Sequence, residues 1–270
     1  MSRAEGASRV QRLARWSRRE WRLLAGLALS AVCLALAVRG LSPDALRAAV
    51  GLAHWPWVAG VAASTIAGTL FKALRWQALF LPARVRLGRT WSIFLIGQML
   101  NAVLPARAGE IGRIYYIGEA EKVGRTRALS TVIIEKMVDL IMLALCYLLV
   151  ALWLTTTPAG LQDWLRAAGV SLLPLAGLAL VGLLLFAYAG RPTWRVARRI
   201  LRALPPGRQR PWQSRVEAMV EQAISAFEAL RQSRVLARVW GYSLVVWLLA
   251  ALSNVLMFQA FRLSLSAHVA

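Results

Sequence analysis

The chain has 270 residues, of which 59% are hydrophobic, and it carries a formal net charge of +21. So high an apolar content excludes an ordinary soluble domain. The basic residues form blocks between apolar runs, which is typical of a multi-spanning membrane protein, and no nucleic-acid-binding motif accompanies them. We therefore expect an all-α, polytopic membrane protein whose basic blocks meet anionic lipid headgroups rather than nucleic acid.

Residues 1–22 form a basic N-terminal tail with seven arginines against two acidic residues. The positive-inside rule places such a tail in the cytoplasm, either as an anchor on anionic lipid or as a disordered extension. A signal peptide is the competing interpretation, but this charged region is long for one, and the apolar run over 23–38 suits an uncleaved first span. Residues 23–270 are interpreted as a single transmembrane domain.

The next predicted elements are a short helix and a second span. Residues 39–54 carry little charge, and the Ser-Pro-Asp sequence at 42–44 is typical of a helix N-terminus, which predicts a short external helix. A span is predicted over 55–71. Arg75 and Trp76 follow it, and we expect them to form a snorkelling cationic end with an interfacial aromatic ring.

The segment that follows is expected to dip into the membrane and return on the same side. As a helix, the apolar run 90–104 reaches only about 22 Å, less than the hydrocarbon core of roughly 30 Å. A full crossing would also place the eleven arginines of 191–238 outside, against the charge rule. A re-entrant hairpin resolves both conflicts: residues 91–104 descend, Pro105 breaks the helix, and 107–118 return.

The hairpin carries ionisable residues at its predicted tip. Arg107, Glu110 and Arg113 follow Pro105 at three-residue spacing, so that Glu110 has an arginine one helical turn to either side. Charged groups at membrane depth are costly unless they are paired or hydrated, and by default they mark a functional site. Asn101 on the descending arm adds a neutral hydrogen-bonding group, for which interhelical contact is an equally good interpretation.

A second polar cluster interrupts the next predicted span, 129–154. A nearly uncharged segment over 155–169 follows this span and is expected to be external. Glu135 and Asp139 lie four residues apart and therefore share a helix face. One interpretation is a structural ion pair between Lys136 and Asp139, next to a solvated loop. We favour a polar site within the membrane, in which these acids face the hairpin and pair with its arginines.

The last part of the chain combines two spans with a basic cytoplasmic segment. Spans are predicted over 171–189 and 239–261, and a proline-rich break divides the intervening segment, 191–238, into two helices. The second of these helices has an apolar stripe at helical spacing between residues 216 and 230. Such a helix can lie on the membrane, cover its own domain or, over 211–233, dock a cytoplasmic enzyme.

The order of these motifs resembles a known family. An apolar run, P-x-R-x-G-E-x-x-R, a basic linker and an apolar helix beginning A-L-S-T-V-x-x-E-K-x-x-D are similar to the transmembrane, flippase-like domain of lysylphosphatidylglycerol synthases. They are also similar to the stand-alone bacterial membrane proteins related to that domain. The resemblance covers the chain from Arg22 to the C-terminus. The matching residues are Pro105, Arg107, Gly109, Glu110, Arg113, Ala128, Leu129, Glu135, Lys136 and Asp139, with the earlier pair Arg75 and Trp76.

The resemblance implies a protein of the bacterial inner membrane that moves a lipid between leaflets. In the synthases the aminoacyl-transfer chemistry belongs to a separate soluble domain, so we do not expect this chain to be an enzyme. Family members usually continue with further apolar helices and a second hairpin rich in proline and glycine. We therefore expect the C-terminal part of the domain to be missing from this chain.

The predicted site binds the headgroup of a lipid, which is either an anionic phospholipid or a lipid-linked headgroup. We expect the guanidinium groups of Arg107 and Arg113 to bind a phosphate, while the acids balance charge or contact a cationic or hydroxylated headgroup. The full set of candidate residues is Arg107, Glu110, Arg113, Glu135, Asp139, Asn101 and Arg75. The alternative function is a non-transporting membrane scaffold that recruits cytoplasmic enzymes of lipid or glycan synthesis.

We expect neither a cofactor nor a metal ion. His54 and His268 stand alone without ligand spacing, and the sequence contains no P-loop or catalytic-triad pattern. Cys33 and Cys146 fall in apolar runs, which predicts free thiols that act as small hydrophobic residues.

Overall fold

The computed structural model describes residues 42–103, 108–153, 159–203 and 211–262, together with residues 32, 33, 35, 36 and 39. Over these residues the chain is almost entirely helical and contains no β-strand, which confirms the all-α class. The helices are α1 (Pro43–Leu52), α2 (Trp55–Ala78), α3 (Leu87–Val103), α4 (Ala108–Ala120), α5 (Arg125–Trp153), α6 (Ala159–Tyr188), α7 (Gly190–Ala203), α8 (Pro211–Glu228) and α9 (Ser233–Ala260). A short 3-10 turn, Ala229–Arg231, joins α8 to α9.

Local sequence explains where several helices begin. Proline has a fixed φ that suits the first turn and lacks an N–H that is not needed there; Pro43 begins α1 and Pro56 lies in the first turn of α2. Asp44 and Glu110 lie in the first turns of α1 and α4, where the positive end of the helix dipole favours a carboxylate. The short helix expected within 39–54 is therefore confirmed.

Three stretches of the described chain are helices long and apolar enough to cross a membrane: Trp55–Ala78, Arg166–Tyr188 and Ser233–Ala260. They are typical of an integral membrane protein. Helix α5 covers residues 129–153 of the predicted span 129–154, but it carries charged residues in its first half and is not among those three. The predicted first span, 23–38, lies largely outside the described residues.

Several helices extend beyond the apolar runs that predicted them. Hydropathy locates the part of a helix that suits the membrane, whereas the helix itself ends only where its backbone hydrogen bonds end. Most of the segment 155–169 therefore belongs to α6, and its external location stays a prediction. The corrected boundaries are the end of α2 at Ala78 rather than residue 71, the start of α6 at Ala159 rather than residue 171, and the start of α9 at Ser233 rather than residue 239.

The chain divides into two compact units. The tip unit comprises residues 1–52 and 95–113, and it holds α1 with the end of α3 and the beginning of α4. The bundle unit comprises residues 53–94 and 114–270, and it holds the remaining helices.

Helices α2 and α9 of the bundle unit pack against each other in antiparallel orientation. The N–H of His54 donates to the carbonyl of Ala260 (2.9 Å), and the hydroxyl groups of Ser64 and Ser253 share a hydrogen bond of 2.6 Å. Small residues at four-residue spacing let two membrane helices approach closely. This spacing is a sequence signal that hydropathy alone did not reveal. The small residues on α2 are Gly60, Ser64 and Gly68.

The apolar core of the bundle unit lies among α5, α6, α8 and α9. Helix α8 contributes the C-terminal half of its predicted apolar stripe to this core, so the expectation that the stripe covers its own domain is confirmed there. Val216 and Met219, at the other end of the stripe, remain exposed. The buried core side chains include Ile134, Val138, Ala179, Leu183, Ala226, Phe227, Leu230, Val235 and Val239.

Candidate functional site

A buried arginine joins three helices of the bundle unit. Arg75 on α2 is only 1% exposed, and its Nη1 donates to Oδ1 of Asp139 on α5 (2.6 Å) and to the hydroxyl of Ser243 on α9 (3.1 Å). Its Nη2 lies 3.7 Å from Oε1 of Glu135, which is 4% exposed. Burying a charge is costly unless it is paired and hydrogen-bonded, and here the carboxylates spaced four residues apart on α5 supply the counter-charge. We call Arg75, Glu135, Asp139 and Ser243 the charge cluster.

The residue after Arg75 reinforces the same contact between α2 and α5. The indole N–H of Trp76, a fully buried residue, donates to the hydroxyl of Thr131 (3.0 Å). The Thr131 hydroxyl in turn donates to the carbonyl of Ala128 (2.7 Å). The prediction of a snorkelling arginine and an interfacial tryptophan was therefore wrong. Both side chains have hydrogen-bond partners on α5. These partners make burial more favourable than exposure at the membrane surface.

Asp139 is the accessible member of the charge cluster. Its side chain remains 36% exposed although it bonds to a buried guanidinium. A carboxylate can accept hydrogen bonds at both oxygens, so Asp139 can bind Arg75 and a ligand at the same time. The cluster thus presents one fixed, accessible carboxylate on an otherwise buried polar contact.

Glycines bring α3 and α4 into backbone contact in the tip unit. A Cβ atom on Gly109 would overlap the carbonyl oxygen of Gly97 and the carboxamide of Asn101, and a Cβ atom on Gly97 would overlap the side chain of Arg113. The two arms of the predicted hairpin are therefore helices that pack together. Their depth in a membrane stays a prediction.

The polar residues of the tip unit lie close to this contact. Glu110 is half-buried in the first turn of α4, and Arg113, one turn further on, is only 3% exposed. Asn101 on α3 lies against Gly109, which agrees with its alternative role in interhelical contact. Arg107 lies outside the described residues.

The candidate residues therefore fall into two sets. Arg75, Glu135 and Asp139 meet in the bundle unit, whereas Asn101, Glu110 and Arg113 belong to the tip unit. The partner that the structure gives Asp139 is Arg75, a pairing that the sequence analysis did not consider. The predicted pairing of the acids with the arginines of the hairpin stays a prediction. Ser243 and Thr131 were also missed, although each is a hydroxyl residue within an apolar helix.

Two arginines of the bundle unit donate to backbone carbonyls at the ends of helices. Arg89 donates to the carbonyl of Ala120 (2.7 Å). Arg127 donates to the carbonyls of Phe80 and Leu81 (2.8 and 3.0 Å), and burial lowers the pKa of its guanidinium from the ordinary value. Arg89 therefore joins the start of α3 to the end of α4, and Arg127 holds the turn that follows α2, in addition to satisfying the charge rule.

Comparison with known families identifies one match. The family described as the lysylphosphatidylglycerol synthase TM region matches residues 23–270, which is most of the chain. That family links the protein to lipid metabolism in a membrane. No curated protein and no solved structure matches the chain.

Proposed function

Because the chain belongs to the lysylphosphatidylglycerol synthase TM region family, we propose that it binds the headgroup of an anionic lipid and moves the lipid between leaflets without altering it chemically. We further propose the bacterial inner membrane as its location, with the N-terminus in the cytoplasm, on the basis of the charge rule.

The observation that carries this proposal is the accessible carboxylate of Asp139 on a buried arginine. Arg75 is held by groups from two other helices, so the position of the carboxylate is fixed before any ligand arrives. A fixed polar group in an apolar helical protein favours a polar ligand that is otherwise surrounded by hydrocarbon. A lipid headgroup is such a ligand.

The tip unit supplies the second part of the proposal. Arg107 and Arg113 bind the phosphate of the headgroup, since guanidinium groups match its oxygens in bidentate geometry. Glu110 and Asp139 contact a cationic or hydroxylated end of the headgroup. The lipid tails stay in the bilayer while the headgroup passes a polar path that opens alternately to each leaflet.

The test combines lipid identification with a translocation assay. The parent protein, Glu110→Gln and Asp139→Asn are purified in native-like lipid particles, and retained lipids are identified by mass spectrometry. The same proteins are reconstituted into liposomes with a fluorescent anionic lipid, and translocation is followed by chemical quenching of the outer leaflet. We expect one lipid class to be enriched in the parent and lost in both variants. The translocation rate should fall about tenfold, the effect of losing one hydrogen bond to a charged group.

Glu119→Gln is the matched control, since Glu119 is an exposed carboxylate paired with Arg125 (2.5 Å) outside both sets of candidate residues. It should behave as the parent does. Translocation no faster than in protein-free liposomes would reject the transport proposal. A retained-lipid profile equal to that of bulk membrane in the parent and in both variants would make the acidic residues structural.

The scaffold alternative rests on the exposed end of α8. Val216 and Met219 are exposed apolar residues, whereas Phe227 and Leu230 at the other end of the stripe belong to the core. Deleting 211–233 would remove core residues, so we propose the double substitution Val216→Ser with Met219→Ser instead. Loss of an associated cytoplasmic enzyme on affinity purification, with lipid binding unchanged, would favour the scaffold. Unchanged association would reject this surface as the docking site.

A further inference from the structure

Helix α7 begins where a membrane-crossing helix ends. The crossing stretch Arg166–Tyr188 is followed by α7 at Gly190, and α7 carries five arginines and no acidic residue. A basic amphipathic helix at the end of a span is typical of one that lies in the headgroup region of the bilayer. We therefore expect the arginines of α7 to lie close to lipid phosphates.

Helix α8 neutralises part of this charge. Arg198 contacts Glu217 and Glu221 (both 2.8 Å), and Arg191 lies 3.2 Å from Glu228. These ion pairs fix α7 against α8 within the bundle unit.

Arg195 is left without such a partner. It is exposed, and none of the residues that the structure describes forms an ion pair with it. A guanidinium held on a fixed helix beside two neutralised neighbours provides a cation that an anionic ligand can bind.

A polar cleft of about 930 Å³ lies between α7 and α8. Arg191, Arg195 and Arg198 line it from α7, and Glu221, Gln222 and Ser225 line it from α8. The cleft thus combines three cationic groups with neutral hydrogen-bonding groups and one carboxylate, and Arg198 neutralises that carboxylate. That combination suits a phosphate that carries a polar substituent.

An apolar groove of about 570 Å³ adjoins this cleft. The two share Trp194 and Ile224 in their walls. At its other end the groove is lined by Leu185 and Phe186, which belong to the last turn of the crossing helix and are 58% and 54% exposed. The groove therefore links the cleft with the end of the crossing helix, where we expect the hydrocarbon of the bilayer to begin.

Trp194, which lines both the cleft and the groove, carries an unsatisfied hydrogen-bond donor. Its indole Nε1 is buried and has no hydrogen-bond acceptor among the described residues, and the same holds for Nε of Arg198. A buried N–H that lacks an acceptor is unfavourable, so a small rotation of either side chain that brings the N–H to a ligand oxygen is favoured. In a phospholipid, the phosphate and ester oxygens lie between the headgroup and the acyl chains.

We propose that α7 and α8 form a second lipid site, which binds one anionic phospholipid. Its phosphate lies on Arg195, an oxygen accepts from Nε1 of Trp194, and one acyl chain fills the groove toward Phe186. The requirement for both charge and an apolar chain distinguishes this ligand from a free phosphate or an acidic peptide. The site shares no residue with the charge cluster or the tip unit, so it does not depend on the proposed function.

The test uses a photoactivatable phosphatidylglycerol with a diazirine in one acyl chain. The protein is reconstituted in nanodiscs of phosphatidylcholine with a small fraction of this probe, irradiated, digested and mapped by mass spectrometry. We expect adducts in the peptides that contain Phe186 or Val220. Unlabelled phosphatidylglycerol should compete for them, whereas phosphatidylcholine and glycerol 3-phosphate should not.

Two variants separate the contributions to this site. Arg195→Gln combined with Trp194→Phe should lower groove labelling about thirtyfold, since it removes one charged and one neutral hydrogen bond while keeping an aromatic ring. Ala223→Phe, which fills the groove, should abolish labelling there with the arginines intact. Arg215→Gln removes an exposed arginine of α8 that lines neither the cleft nor the groove, and it should label as the parent does. Melting temperatures equal to that of the parent establish that the variants fold.

Two results of the competition experiment would overturn the proposal. Labelling that phosphatidylcholine competes away as well as phosphatidylglycerol does would mean a bulk lipid annulus and would overturn the proposal. Competition by glycerol 3-phosphate would mean that the site binds phosphate without an acyl chain, and this would also overturn the proposal. Asp139→Asn should leave groove labelling unchanged, so failure at the charge cluster is distinguishable from failure here.

Discussion

Removing the buried arginine of the charge cluster is the most direct test of how the bundle unit is held together. Arg75→Leu leaves Glu135, which is 4% exposed, and Asp139 without the guanidinium that both contact. Breaking a buried ion pair by removing one partner costs about 3–5 kcal/mol. Asp139→Asn should cost only about 1 kcal/mol, because the amide oxygen still accepts from Arg75 and only the charge assistance is lost.

The predicted difference is measurable as thermal stability. For a domain of this size, 1 kcal/mol corresponds to roughly 2–4 °C, so Arg75→Leu should lower the melting temperature by about 6–20 °C and Asp139→Asn by about 2–4 °C. The assay is fluorescence-detected size-exclusion chromatography of heated samples in one detergent. Arg86→Leu, which removes an exposed arginine from the neighbouring basic loop, should change stability by less than about 0.5 kcal/mol.

A double-mutant cycle decides whether the two residues interact. Combining Arg75→Leu with Asp139→Asn should cost about 1–3 kcal/mol less than the sum of the single changes, because the second substitution removes the charge that the first leaves unpaired. Additive effects, or a melting temperature of Arg75→Leu close to that of Arg86→Leu, would refute the reasoning. Arg75 would then behave as the snorkelling residue that hydropathy predicts.

Two further predictions concern helix contacts. Gly109→Ala should lower stability by about 1–3 kcal/mol in the same assay, since its Cβ meets the backbone oxygen of Gly97, which no rotamer change can move. Gly88→Ala on α3 has open space and should be neutral or slightly stabilising; equal melting temperatures for the two alanines would contradict the contact. Trp76→Phe should cost about 1–3 kcal/mol, because the smaller ring leaves a void and donates no hydrogen bond to Thr131. A melting temperature equal to that of the parent would show that this bond contributes nothing.

Much of the fold follows from local features of the sequence. Apolar runs of sufficient length predict the membrane helices, and Pro43 and Asp44 predict the start of α1. The arms of the hairpin are also predicted, since proline removes a backbone donor and glycines permit close packing wherever they occur. These features depend only on residues a few positions apart, so they can be recognised in the sequence without the tertiary structure.

The partners of the charged residues do not follow from local sequence. Glu135 and Asp139 are recognisable as a polar pair on one helix face from their spacing alone. The arginine that pairs with them, Arg75, lies on α2 and is 64 positions from Asp139. The hydroxyl that completes the cluster belongs to Ser243 on α9, 168 positions from Arg75. Hydropathy placed Arg75 at a membrane surface because it counts each residue by itself.

The sequence by itself determined the class of protein, most helices and the presence of a polar cluster, because helix formation and membrane insertion depend on local composition. The tertiary structure alone decided which arginine is buried with which carboxylate, and that α7 and α8 enclose a cleft beside an apolar groove. Both depend on which helices pack side by side, and the free energy of a buried charge is set by groups that only packing brings within hydrogen-bonding distance.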